Sequence, residues 1–111
     1  MRTIVNSTAS RVKPTSEEQV LAVTRFRNPG DDFENRAARV VDFWRGCAGC
    51  VRVELVRNLD EPELWALVSE WESVGFYRRS FQGYEAKMIL TEILLLAIDE
   101  PSAYLAPEDF R

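Results

Sequence analysis

The sequence predicts an α+β fold with the element order β-α-β-β-α-α-β, and three observations predict it. Short runs rich in β-branched and aromatic residues alternate with segments of helical apolar periodicity. Breaks containing Gly or Pro separate most of them. Both faces of the first and third strands are largely apolar, whereas a sheet covered by helices on one side needs only one apolar face. The order is the split βαβ, ferredoxin-like plan with one helical insertion. The second apolar face requires a second cover, and another copy of the same sheet is the simplest one. A homodimer with an antiparallel sheet in each subunit is therefore expected.

Each element has its own signal. Residues 1–18 show no sustained period and contain Pro14, and are read as a flexible leader to a domain spanning 19–107, with 108–111 as a tail. Residues 19–27 (QVLAVTRFR) read as the first strand. Asn28-Pro29-Gly30 is a turn, after which Asp31 and Glu34 have capping-box spacing. Phe33, Ala37, Val40, Val41 and Trp44 then form one stripe of a helix. Gly46 and Gly49 close it before a second strand at 50–57. A polar loop at 58–63 leads to a third strand at 64–72, with Trp65, Leu67, Ser69 and Trp71 on one face and Leu64, Ala66, Val68 and Glu70 on the other. Ser73 caps a short helix at 74–81. A longer one at 84–99 carries the stripe Ala86, Ile89, Leu90, Ile93, Leu94 and Ala97, and 102–106 reads as the final strand.

Composition narrows the function. The chain has 111 residues, 14 basic and 18 acidic, and a net charge of −4; only Arg78-Arg79 approach a basic cluster, so nucleic acid is not an expected partner. The longest apolar run, 93–98, is far below the ~20 residues of a membrane span. No membrane partner is expected, and a cytoplasmic location is. There is no histidine, which removes the commonest general base and the usual haem ligand. Cys47 and Cys50 form C-A-G-C between a helix and a strand, whereas a thioredoxin-like pair opens a helix after a strand. They read better as small buried residues in a tight connection.

Residues 68–81, VSEWESVGFYRRSF, carry a resemblance. A strand ending Trp-Glu-Ser, then a short helix with an aromatic six residues after the Trp, resembles the antibiotic biosynthesis monooxygenase family. Gly49-Cys50-Val51, Leu64-Trp65-Ala66-Leu67-Val68 and the closing Glu100-Pro101-Ser102-Ala103-Tyr104 fall in the same order. The resemblance spans residues 19–107. It implies a dimeric α+β barrel and, for the characterised enzymes, oxidation of phenolic polyketides to quinones with O₂ as co-substrate and no cofactor or metal. Haem-degrading relatives use a histidine and a first-strand asparagine; this chain has no histidine and offers Thr24, so haem is disfavoured.

The resemblance makes Trp71 a pocket wall and Tyr77 the partner of a substrate phenolate. Read from the residues alone, Trp71 equally closes the core, and Tyr77 equally is a half-buried helix tyrosine. Phe76, Phe81 and Tyr84 complete an aromatic lining or belong to the core. Arg78 holds the anion or is solvated with Arg79. Arg25 and Arg27 read as ion-pair partners of Glu54 or Glu70 across the sheet. The leading expectation is a cofactor-independent monooxygenase acting on a small phenolic or quinol-type aromatic. The alternatives are a non-catalytic ligand-binding or assembly module of the same fold, and an isomerase or cyclase.

Overall fold

A computed structural model describes residues 18–110, so the leader read at 1–18 lies, apart from its last residue, outside the described residues. The elements are β1 (Val20–Arg27), α1 (Phe33–Arg45), β2 (Cys50–Arg57), β3 (Leu64–Trp71), α2 (Val74–Arg79), α3 (Tyr84–Leu94), β4 (Ala103–Tyr104) and a 3₁₀ turn (Pro107–Phe110). The four strands form one antiparallel sheet in the order β2-β3-β1-β4. This is the ferredoxin-like arrangement the sequence predicts: β1 and β2 run parallel and are separated by β3.

Register decides what is buried. Val20 pairs with Trp71 and Thr24 with Leu67, so the even residues of β1 and the odd residues of β3 share a face. That face supplies Val20, Phe26, Val53, Leu67 and Trp71 to the core, and the helices supply Phe33, Ala37, Val40, Trp44, Ala86, Leu90 and Ile93. Phe33 wedges between Phe26 (ring centroids 4.7 Å) and Trp65 (5.5 Å), fixing the start of α1 over the sheet. The opposite face, with Leu21, Val23, Ala66 and Val68, contributes nothing to this core.

Several local expectations are corrected. The capping box at Asp31–Glu34 does not form: Asp32 is the N-cap, and its carboxylate accepts from Asn35 Nδ2 (3.3 Å) and Arg36 Nε (3.2 Å) instead of a backbone N–H. The last helix stops at Leu94, not residue 99. Its final turn tightens, with Leu96 and Ala97 donating to the carbonyls of Ile93 and Leu94, and the N–H of Ile98 goes to Arg25 O at 2.8 Å on β1. The closing strand is correspondingly short, because the chain already bonds β1 through Val23 N–H to Ser102 O (2.7 Å) before β4 begins. The arginines of β1 do not pair with Glu54 or Glu70. Register puts Arg25 opposite Ala66, and Arg25 instead grips Glu100 with two bonds of 2.7 and 2.8 Å; Arg27 takes Glu61 and Glu63. Arg52, directly opposite Glu70, holds both Glu70 and Glu54.

Candidate functional site

Helix α2 is six residues long, too short to stand on its own hydrogen bonds, and side chains hold both its ends. At its start Ser73 Oγ accepts from the N–H of Phe76 (3.3 Å); at its end the buried Ser80 hydroxyl donates to Tyr77 O (2.6 Å). Below it, the α1–β2 turn comes close enough that a Cβ on Gly49 would fall into the Phe76 ring, and Gly49 O accepts from Glu72 N–H at 2.8 Å. Glycine is required there twice over, since its φ is +84°.

Held in this way, α2 forms one wall of a cleft of ≈ 330 Å³, at the lower end of the usual range for small-molecule sites. Val74, Tyr77 and Arg78 face Val20 of β1, Ala103 and Tyr104 of β4, and then Leu105 and Phe110. The lining is apolar and aromatic apart from Arg78 and the hydroxyls of Tyr77 and Tyr104, the latter donating to Pro101 O at 3.2 Å. Tyr77 is half-buried, and burial pushes its phenol above the ordinary tyrosine value of 10.0, a hydrogen bond with Ser102 acting in the opposite direction. It is therefore a neutral hydroxyl at physiological pH, able to donate or accept. Arg78 is exposed at the same wall and makes no ion pair among the described residues.

The residues the sequence singled out are divided among several places. Tyr77 and Arg78 line the cleft. Trp71 is completely buried behind them: its indole N–H donates to Ser69 Oγ at 2.9 Å, and its ring stands edge-on to Trp44 (5.7 Å) and Tyr77 (6.0 Å). Phe81 backs Tyr77 in turn, with ring centroids 5.1 Å apart, and meets Trp44 at 5.8 Å. The four rings form a chain that fixes the tyrosine's orientation from behind. Phe76 packs on the Gly49 turn and carries the Arg79 guanidinium over its ring at 4.8 Å. Tyr84 opens α3 and is 80 % exposed, away from the cleft lining.

Sequence reasoning did not single out Val20, Val74, Ala103, Leu105 or Phe110 as cleft residues, and Tyr104 entered only as a landmark. A return of the chain past β1 places the last four of these, and no local periodicity marks them. Arg25–Glu100 also belongs to this edge of the sheet, since it ties the segment before β4 to β1; the bond from Arg25 holds the Glu100 carboxyl below the usual carboxylate range.

With this geometry in view, the similarities to known proteins can be stated. The family model of antibiotic biosynthesis monooxygenase matches residues 29–87, more than half of the chain. Among solved structures, SnoaB, a cofactor-independent oxygenase from Streptomyces nogalater, is similar over 80% of this chain and 93% of its own, with 25% identity and a TM-score of 0.68; a variant of it gives 0.70 over the same shares. A conserved protein from Methanosarcina mazei Go1 shares the fold, with 17% identity, a TM-score of 0.65, and coverage of 82% of this chain and 93% of that one. No curated protein matches the chain in sequence.

Proposed function

The chain belongs to the antibiotic biosynthesis monooxygenase family, and from that premise we propose that it is a homodimeric, cofactor-independent monooxygenase oxidising a small phenolic or quinol-type aromatic with O₂. The observation that carries the proposal is the apolar cleft beside α2, in which a neutral tyrosine stands beside an arginine that has no ion pair among the described residues. An electron-rich phenol that has lost its proton reduces O₂ itself, so the protein's task is to bind and orient the anion and keep the site dry.

In this reading Val20, Val74, Leu105 and the rings of Tyr104 and Phe110 hold the aromatic body. The Tyr77 hydroxyl donates to the phenolate oxygen, Arg78 balances its charge, and the Trp71–Phe81 rings keep Tyr77 aimed. For an anthrol-type substrate the balance is simple. The reacting ring carbon loses its one hydrogen and gains one oxygen atom as a quinone carbonyl, the phenol loses its proton and becomes the second carbonyl, and the other oxygen atom leaves as water with two hydrogens in total. The phenolic proton goes first to solvent, because among the described residues no carboxylate or imidazole lines the cleft.

That same lining favours one second reading, a non-catalytic module that binds an aromatic ligand. The two separate on O₂ uptake by purified protein with a panel of hydroquinones and anthrols in the presence of chelator. Uptake is expected on at least one substrate. Tyr77→Phe should lower it by at least ~10-fold, the smaller end of what a lost positioning or proton-handling group costs, and Val74→Trp, which fills the cleft, should abolish it. A rate equal to buffer on every substrate, with ligand binding retained, decides for the second reading.

A further inference from the structure

The C-A-G-C segment is not used by the proposed reaction, and its geometry points elsewhere. Cys47 and Cys50 occupy the first and fourth positions of a turn closed by Cys50 N–H to Cys47 O at 3.3 Å. Gly49, with φ +84°, takes the third position, where a type II turn demands a positive φ. Such a turn holds its end Cα atoms within about 7 Å, and a disulfide spans about 4.4–6.8 Å. Both side chains also pack against the one apolar core, with the Cys47 thiol donating to Phe43 O at 3.5 Å in the reduced state. Each is half-buried, neither fully enclosed nor on an open surface. Ionisation of Cys47 is felt at Cys50, as two sulfurs in one turn require.

We propose that Cys47 and Cys50 are a redox-active pair that closes an intramolecular disulfide across the α1–β2 turn. The oxidant is a small-molecule disulfide such as oxidised glutathione. One cysteine thiolate attacks it, releasing one equivalent of thiol and leaving a mixed disulfide; the second cysteine displaces the remaining thiol, and the two cysteine protons end, through solvent, on the two thiols released. The protein is oxidised by two electrons and the small disulfide reduced by two. Burial raises both thiols above their ordinary value, so the exchange is slow at neutral pH and accelerates as pH rises. The turn also has a route to the cleft: Gly49 supports Phe76 and receives the N–H of Glu72 at the entry to α2, the helix that carries Tyr77 and Arg78.

The test uses the full chain equilibrated in glutathione buffers of graded oxidised-to-reduced ratio, acid-quenched and read by intact mass and peptide mapping. The expected product is lighter by two hydrogens (~2 Da), with both cysteines in one linked peptide, and reverts in excess reduced glutathione. Cys47→Ser and Cys50→Ser should instead each stop at a single glutathione adduct. Two adducts on the wild-type chain, disulfide-linked pairs of chains, or two free thiols at the most oxidising ratio would each overturn the proposal. None of these outcomes depends on oxygenase activity, so failure here and failure of the functional reading are distinguishable.

Discussion

Tyr77 shows how a single side chain combines packing with chemistry. Trp71 and Phe81 meet its ring edge-on while its hydroxyl lies near Ser102, so its surroundings both orient the phenol and keep it protonated. The pH consequence has a definite sign. Above the usual tyrosine value of 10.0 an unfolded chain releases this proton while the folded one retains it, so the folded state binds more protons and stability falls as pH rises. Urea midpoints at pH 8 and about 11 should therefore drop more for the wild type than for Tyr77→Phe, which has no proton to lose. Glu100 has the opposite sign. Arg25 holds its carboxyl below the ordinary value of 4.5, so the folded state binds fewer protons there and the contribution disappears as pH falls through the carboxylate range. Glu100→Gln should be less stable than wild type at pH 7, and the two unfolding curves should converge near pH 3. A gap that stays constant down to that pH would mean the pair is held by something other than charge. Trp71 illustrates why residue identity alone does not assign a role. A large aromatic six residues before Tyr77 suits a pocket wall or a core equally well, and the Ser69 hydrogen bond, which turns the indole inward, involves a neighbour on the same strand face with no separate sequence signature.

Among the elements, the short helix α2 depends most on its neighbours. Ser73 and Ser80 close its ends, and the Gly49 turn fills the space beneath Phe76. Gly49→Ala places a methyl group against the base of that ring at a backbone angle side chains avoid. The two effects, each of roughly 1–3 kcal/mol, predict a loss of about 2–6 kcal/mol in urea unfolding. Relative to Phe76→Ala alone, the double variant should lose less than this, because removing the ring relieves part of the clash and leaves the contact with the Cβ of residue 76 and the backbone strain. Strict additivity would show that Phe76 is not what the methyl group meets. Element by element, legibility followed the range of the forces involved. The first three strands and the first helix were readable to within two residues, since alternation and the Phe33–Trp44 stripe record which side is buried. The last helix was read too long, because apolar spacing continues through Ala97 while the backbone departs to bond Arg25. Ion pairs were misassigned for the same reason. Which carboxylate meets Arg25 depends on where residues 98–102 cross β1, a tertiary fact with no local record.

For the whole molecule, the second face of the sheet is the feature that decides assembly. Leu21 and Val23 of β1 lie beside Ala66 and Val68 of β3, with Val56 of β2 41 % exposed next to them, while the residues of the sheet that join the helix-side core cluster lie on the other side. Ion pairs flank this strip: Arg52 with Glu54 and Glu70 on one side, Arg25 with Glu100 on the other. An apolar centre between charged margins suits a two-fold contact, in which the same patch meets itself and the charges remain at the rim in water. This is the physical basis on which a homodimer is proposed, and two apolar faces on one strand are visible in the alternation itself. Light scattering at micromolar concentration should give twice the monomer mass. Val68→Glu brings two carboxylates near the two-fold axis and should give a monomer whose circular dichroism still shows the folded α+β content, since Val68 contributes nothing to the helix-side core. A wild-type monomer would refute the dimer. A Val68→Glu dimer would move the contact to another surface, leaving the apolar face of β1 and β3 to be covered in some other way.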